Sequence, residues 1–240
     1  MVAVALATLL DVQAVDTHAD QLTRRRATLP ERAALAAATA EVAKLTGERD
    51  AIGLRAHSLE RTQKRLEDEV SSLEDKAVAT DRQLYGGHVT APRELQALQD
   101  EAASLRRRVG GLEDDLLAVM EELEPVTAEL AQLDLAGAQA AEREGALRAA
   151  IGGEEASIDA ELAALATHRA RLTADVPPAL LAQYEKIRAR SGGIGIARLD
   201  GHRCTGCHLE LPNREVDELR RAPLDQVVLH EECGRILVRD

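Results

Sequence analysis

The chain has 240 residues, with 42 Asp or Glu against 30 Lys or Arg, a formal net charge of -12, two Tyr, and no Trp or Phe. An excess of negative charge repels phosphate backbones and anionic membrane surfaces, which argues against non-specific attachment to either. The shortage of aromatics argues against an ordinary compact core, and Ala and Leu mixed with Glu, Arg and Gln is the composition of long helices and coiled coils.

The chain opens on an apolar run, Val2 to Leu10, which lacks a basic leading segment and a small-residue cleavage site and therefore reads as the first turns of a helix rather than an export signal. That helix is expected over about Ala3 to Ala27, with Val12, Val15, Ala19, Leu22 and Leu29 on one seam. No stretch approaches the ~20 apolar residues of a membrane span. Pro30 breaks the phase, either kinking the chain or reversing it; arm lengths favour a kink. Beyond it a heptad register begins: Leu35, Val42, Ala56, Val70, Ala77 and Leu84 in one series, and Ala38, Leu45, Ile52, Leu59, Leu66 and Leu73 in the other. Arg49 and Gln63 fall in the first series, where polar residues cost stability and fix register.

The pattern stops at Tyr85-Gly86-Gly87-His88-Val89-Thr90-Ala91-Pro92. Two glycines remove the side chains that favour a helix, and Pro92 bars Ala91 from helix while suiting the start of the next one. Past this tip the heptads resume, with Leu98, Leu105, Leu112, Val119, Val126, Leu133, Ala140 and Leu147 all apolar in one series. The pattern weakens at Gly137, Glu144, Gly152 and Gly153 and recovers through Ile151, Ile158, Leu165 and Leu172. Pro125 leaves the phase unchanged, so the spacing predicts a kink there and not an end. Two arms flanking a glycine turn predict an intramolecular antiparallel hairpin in preference to a parallel dimer.

Asp175-Val176-Pro177-Pro178 ends the returning arm. A short helix is expected over Ala179 to Arg190, followed by a flexible joint at Ser191-Gly192-Gly193-Ile194-Gly195. Short β segments follow at Ile196 to Leu199, Leu209 to Leu211, Val227 to Leu229 and Ile236 to Val238, with a helix capped by Asn213 and running to about Arg221. The expected organisation is a hairpin over 1–176 with its tip near 85–92, a helix and glycine linker over 177–195, and a separate small β unit over 196–240. The fold class is mainly α.

The three cysteines lie within that last unit. Cys204-Thr205-Gly206-Cys207, followed by His230-Glu231-Glu232-Cys233-Gly234, is the pattern of two metal knuckles on β segments, a zinc ribbon in a reducing cytoplasm rather than a disulfide framework. The expected ligands of one structural Zn2+ are Cys204, Cys207, His230 and Cys233. His202 and His208 compete with His230, whose position three residues before Cys233 favours it. A unit this small without aromatics needs the metal to fold, a contribution on the order of 10 kcal/mol. Cys204 to His208 also matches the C-x-x-C-H attachment site of c-type haem, a reading that would need export and an apolar pocket.

The tip from Leu84 to Gln99, the run Tyr184 to Arg188 with Gly192-Gly193-Ile194, and the segments Cys204 to His208 and Cys233 to Leu237 together resemble a bacterial family of coiled-coil hairpins with a C-terminal four-cysteine-type zinc ribbon. The resemblance covers the whole chain. His230 stands where that family usually has its third cysteine. The resemblance implies a cytoplasmic, non-enzymatic protein. It also points to relatives that serve as adaptors or chaperones for flagellar or type III secretion components and an alternative sigma factor, and to a suggested role in RNA binding.

Two functional readings follow. In the first, the chain is an adaptor that binds protein partners through ribbon and tip, where Tyr85, His88, Val89, Pro92, Arg93 and Gln96 have no evident coiled-coil role; alternatively, Tyr85 and Val89 merely staple the turn. In the second, the ribbon binds RNA or DNA, with Arg203, Arg220, Arg221 and Arg235 as candidate contacts. Seven arginines against nine carboxylates beyond Gly195 give that unit no basic footprint. An enzyme is not expected, since the sequence offers no phosphate loop, nucleophile elbow or paired carboxylates. Neither a membrane nor a small-molecule substrate is expected as a partner.

Overall fold

The computed structural model describes residues 2–223 and 226–239, and for Val2 the backbone only. Asp225 and Asp240, two of the nine carboxylates counted above, lie outside the described residues. Among the described residues, five helices and four short strands follow in the order α1 (Val2–Ala27), α2 (Glu31–Tyr85), α3 (Pro92–Ala174), α4 (Pro178–Arg190), β1 (Ile196–Asp200), β2 (Arg203–Cys204), α5 (Asn213–Arg221), β3 (Val228–Leu229) and β4 (Ile236–Val238). The fold is mainly α: a long helical hairpin with a small C-terminal sheet. The chain divides into two compact units, one of Met1–Arg32 with Leu147–Asp240 and one of Ala33–Ala146.

In the second unit α2 and the first part of α3 run antiparallel. Glu41 pairs with Arg143 at 3.0 Å, Arg49 with Asp134 at 2.8 Å and Asp81 with Arg106 at 2.5 Å, so partner numbers fall on α3 as they rise on α2. The heptad seam is the core: Ala38, Ala56, Leu66, Leu73 and Ala77 of α2 are buried, as are Ala102, Val126 and Ala140 of α3. Arg49, a polar residue in the seam register, stays exposed and is held by Asp134. Glu144, where the apolar pattern lapses, is buried and accepts a 2.6 Å hydrogen bond from the Thr39 hydroxyl. A carboxylate is tolerated in a seam when its lone pairs are met in this way.

At the turn, Gly87 has φ of 75°, the left-handed region. A Cβ on Gly86 would lie 2.6 Å from the Arg82 carbonyl oxygen. Both positions therefore require glycine. α3 then runs through Pro125 without a break.

In the first unit, α1 lies along the end of α3, with His18 near Glu161 (3.2 Å), Arg25 on Glu154 (2.8 Å) and Arg26 on Asp159 (2.9 Å). Arg26 before Pro30 and Arg32 after it both pair with Glu155. Glu155 of α3 is thus shared by arginines on either side of Pro30.

The four strands form one sheet in the order β2-β1-β4-β3, with β1 and β4 parallel and both outer pairs antiparallel. The segment expected as a strand at Leu209 to Leu211 contributes only an isolated bridge, Glu210 to Arg203. α5 begins on Asn213 itself, and Pro212 occupies the cap position without a side-chain cap bond. Its carbonyl receives the Val216 N–H at 3.1 Å, so the residue before Asn213 closes the first turn.

The sheet is not a free-standing unit. Ile196 and Ile236 share a buried core with Ala5, Leu6, Leu9 and Val12 of α1 and with Leu180, Tyr184 and Ile187 of α4. A second cluster on the other side joins Ala197, Leu199, Leu211 and Leu237 to Val216 and Leu219 of α5 and to Cys204. The segment expected as a flexible joint is fastened: the Gln13 side chain donates to the Gly193 carbonyl at 2.8 Å and accepts the Gly195 N–H at 2.7 Å. Sequence periodicity misses this because the joint's order comes from partners about 180 residues away in the chain.

Candidate metal centre

Two turns of the same build bring four donor side chains together. In the first, the Cys204 N–H donates to the Leu209 carbonyl (3.0 Å) and the His208 N–H to the Cys204 carbonyl (2.8 Å); in the second, the His230 N–H donates to Arg235 (2.9 Å) and the Gly234 N–H to His230 (2.7 Å). The hydrogen bonds place His230 in the role that Cys204 has in the first turn, Cys233 in the role of Cys207, and Gly234 in the role of His208. The left-handed residue also repeats, with φ of 64° at His208 and 68° at Gly234.

One ligand atom from each of Cys204, Cys207, His230 and Cys233 lies within 4.8 Å of every other. The imidazole turns Nδ1 toward the sulfurs, 2.9 Å from Cys233 Sγ and 3.4 Å from Cys207 Sγ. A tetrahedral ion with Zn–S of about 2.3 Å and Zn–N of about 2.0 Å sets its ligand atoms roughly 3.5–3.8 Å apart, so the tetrad closes around such an ion with small adjustments. His230 is 1% exposed, and its Nε2 is buried without a hydrogen-bond partner among the described residues. With Nδ1 on the ion, a neutral ring carries its proton on Nε2. Pairing with Arg235 fixes the His230 backbone, and the ring itself is enclosed by packing.

Electrostatics divide the thiols. Burial pushes the Cys204 thiol up. At Cys207 desolvation acts in the same direction, yet the Leu209 backbone, the Cys204 and Cys233 side chains and the Arg235 charge outweigh it and lower the thiol. His202 and His208, the competing imidazoles, are exposed and stand outside the tetrad. The two thiols of the C-x-x-C-H match converge on His230 and Cys233.

Arg235 lies across this centre. Its Nε donates to the Ile194 carbonyl at 3.1 Å and its Nη2 to the Ser191 carbonyl at 2.7 Å. A Cβ on Gly206 would lie 2.8 Å from Arg235 Cδ, so the glycine of the first turn makes room for an arginine of the second. Among the other arginines considered for nucleic acid, Arg203 donates to the His208 carbonyl at 2.9 Å, while Arg220 and Arg221 are exposed on α5. Arg239 closes the end of α5 by donating to the carbonyls of Leu219, Ala222 and Pro223.

A buried polar cluster escaped sequence reading. Asp16, 4% exposed, accepts hydrogen bonds from Arg169 (2.6 Å) and the Tyr184 hydroxyl (2.7 Å), and Arg188 Nε stands 3.4 Å away. Arg169 also pairs with Glu185, and Arg188 donates to Asp20 at 2.6 Å. Burial and then the Asp16 contact hold the Tyr184 phenol well above its ordinary range. Asp16, one of three aspartates on the opening helix, gave no signal, because its partners sit more than 150 residues away.

At the tip the predicted residues divide. Tyr85 is 79% exposed, so it does not staple the turn. Val89 is half buried and, with Ala97 and Leu98, lines a cleft of about 320 Å3 flanked by Glu94 and Glu101. His88, Pro92, Arg93 and Gln96 are exposed, and Gln96 donates to Asp100 at 3.2 Å.

The fold and this centre define a class: a coiled-coil hairpin ending in a cysteine-rich ribbon with a metal-binding tetrad. A model described as the CT398-like coiled coil hairpin domain matches residues 12–192, and one described as the C4-type zinc ribbon domain matches 203–237. The chain belongs to this hairpin family. It is 33% identical over 240 residues to the uncharacterised protein Rv2229c of Mycobacterium tuberculosis, covering 96% of this chain and 94% of that one. Among solved structures, a Mycobacterium smegmatis protein aligns with a TM-score of 0.83 at 27% identity over 99% of this chain and 98% of its own. CT398 from Chlamydia trachomatis shares the fold, with a TM-score of 0.64 at 21% identity over 100% and 99% of the two chains.

Proposed function

We propose that this protein is a non-enzymatic, zinc-binding adaptor of the cytoplasm that engages protein partners through its hairpin tip and ribbon. The observation that carries this reading is Tyr85: one of only two tyrosines, it stands 79% exposed at the turn, where it contributes nothing to the seam. An exposed aromatic at the head of a helical arm suits a binding anchor, because such residues supply large contact area at low entropic cost. Zinc is the ion that three thiolates and one imidazole suit best, and a closed four-ligand set fits a structural role rather than a catalytic one. Thiols kept for a metal fit a reducing compartment. No described helix is long and apolar enough to cross a membrane. The ribbon's arginines give the nucleic-acid reading little support, since Arg203 and Arg235 are engaged by backbone carbonyls.

The test is quantitative capture of partners by the intact protein and by Tyr85→Ala. The variant is expected to lose a partner while its melting temperature stays unchanged, because an exposed substitution alters stability by no more than about 0.5 kcal/mol. Retention of every interaction by Tyr85→Ala would remove the tip from the account.

A further inference from the structure

The metal tetrad and the first helix lie at two ends of one line of hydrogen bonds. From the second turn, Arg235 reaches over Gly206 to the carbonyls of Ser191 and Ile194, and the Ile236 N–H donates to the Gly195 carbonyl at 3.0 Å. From the helix side, Gln13 holds the Gly193 carbonyl and the Gly195 N–H. Gln13 Oε1 also faces the Tyr184 hydroxyl at 3.3 Å, which joins the line to the buried Asp16 cluster. Gly195 packs tightly on α4, since a Cβ there would lie 2.7 Å from Tyr184 Cδ2, and Gly193 adopts φ of 90° with Asp20 Oδ2 2.9 Å from where its Cβ would stand. The segment between Arg190 and Ile196 is thus gripped from both sides, by a residue two positions beyond the ligand Cys233 and by a residue of α1.

We propose that Arg235 is a positioning residue of the metal centre that links metal occupancy to the seating of the ribbon on α1. The proposal rests on zinc occupying the tetrad. Metal fixes the two turns against each other; this holds Arg235 across Gly206, and Arg235 then presents the linker groups that Gln13 binds. When the metal leaves, the second turn and Arg235 loosen together, and the linker loses one of its two grips. Linkage is reciprocal: if the metal tightens the seat, the seat must tighten the metal by the same factor. A residue of α1 that touches no ligand therefore contributes to metal affinity.

Two measurements on the full chain decide this. In the first, zinc affinity is read by competition with a chromophoric chelator for the wild type, Arg235→Gln, Arg235→Lys, Gln13→Ala and a control, Arg26→Ala, whose salt bridge lies elsewhere on α1. Arg235→Gln and Gln13→Ala are each expected to weaken zinc binding about tenfold, the usual scale for residues that orient ligands. Arg235→Lys, which can still reach one carbonyl, should recover part of the loss, and Arg26→Ala should match the wild type. In the second, hydrogen exchange of the wild type with and without chelator needs no variant: the amides of Gly193, Gly195 and Ile236 should lose protection on metal removal. Zinc affinity of Gln13→Ala equal to the wild type, or linker amides indifferent to the chelator, overturns the linkage while leaving a zinc site in place. Purified protein without zinc that takes none up would instead sink the site itself.

Discussion

At the residue scale, the second turn and the first differ by one substitution that the backbone registers. Gly234 and His208 occupy equivalent left-handed positions after the second ligand of each turn, and only glycine adopts that conformation without strain. A non-glycine residue there costs on the order of 1–2 kcal/mol, partly offset by the greater freedom of glycine in the unfolded chain. His208 is exposed and outside the tetrad. His208→Gly should therefore raise stability by about 0.5–1 kcal/mol in chemical denaturation with unchanged metal content. Loss of metal in this variant would show that His208 serves the centre in a way its geometry does not suggest.

At the scale of elements, helices α1, α3 and α4 are joined by charge as well as by apolar packing. Asp16 is nearly inaccessible and faces Arg169, Arg188 and Tyr184. Removing Asp16 takes the carboxylate from the Tyr184 hydroxyl and leaves each arginine with one partner in place of two, Glu185 for Arg169 and Asp20 for Arg188. Asp16→Ala should lower the unfolding free energy by about 3 kcal/mol, at the lower end of the range for buried pairs because both arginines keep some solvent contact. A loss under about 1 kcal/mol would mean that the apolar core of Leu9, Val12 and Tyr184 holds α1 without help from the charges.

The elements themselves were legible. Seven-residue recurrence located α2 and α3, glycine and proline located the turn, and C-x-x-C with His230 and Cys233 located the tetrad, because each signal is local or periodic. What stayed hidden is long-range chemistry: the Asp16 cluster, the hold of Gln13 on the linker and the reach of Arg235 to Ser191 all join residues with no shared period. The joint read as flexible from its glycines is ordered for this reason. Glycine there permits close approach to Tyr184 and Asp20 as well as permitting motion.

At the scale of the whole molecule, two structural sources support the ribbon. Its sheet shares a core with α1 and α4, which supplies burial that a 45-residue unit without aromatics could not provide alone. An ion bound by the tetrad would add to this by tying the two turns together, because it would neutralise three thiolates that otherwise repel one another within 4.8 Å. The sharpest test is X-ray absorption at the zinc edge of the purified full-length protein. The account predicts one zinc ion per chain with three sulfur neighbours at about 2.3 Å and one nitrogen at about 2.0 Å. Absence of zinc, or a shell of light atoms with fewer than three sulfurs, would contradict it.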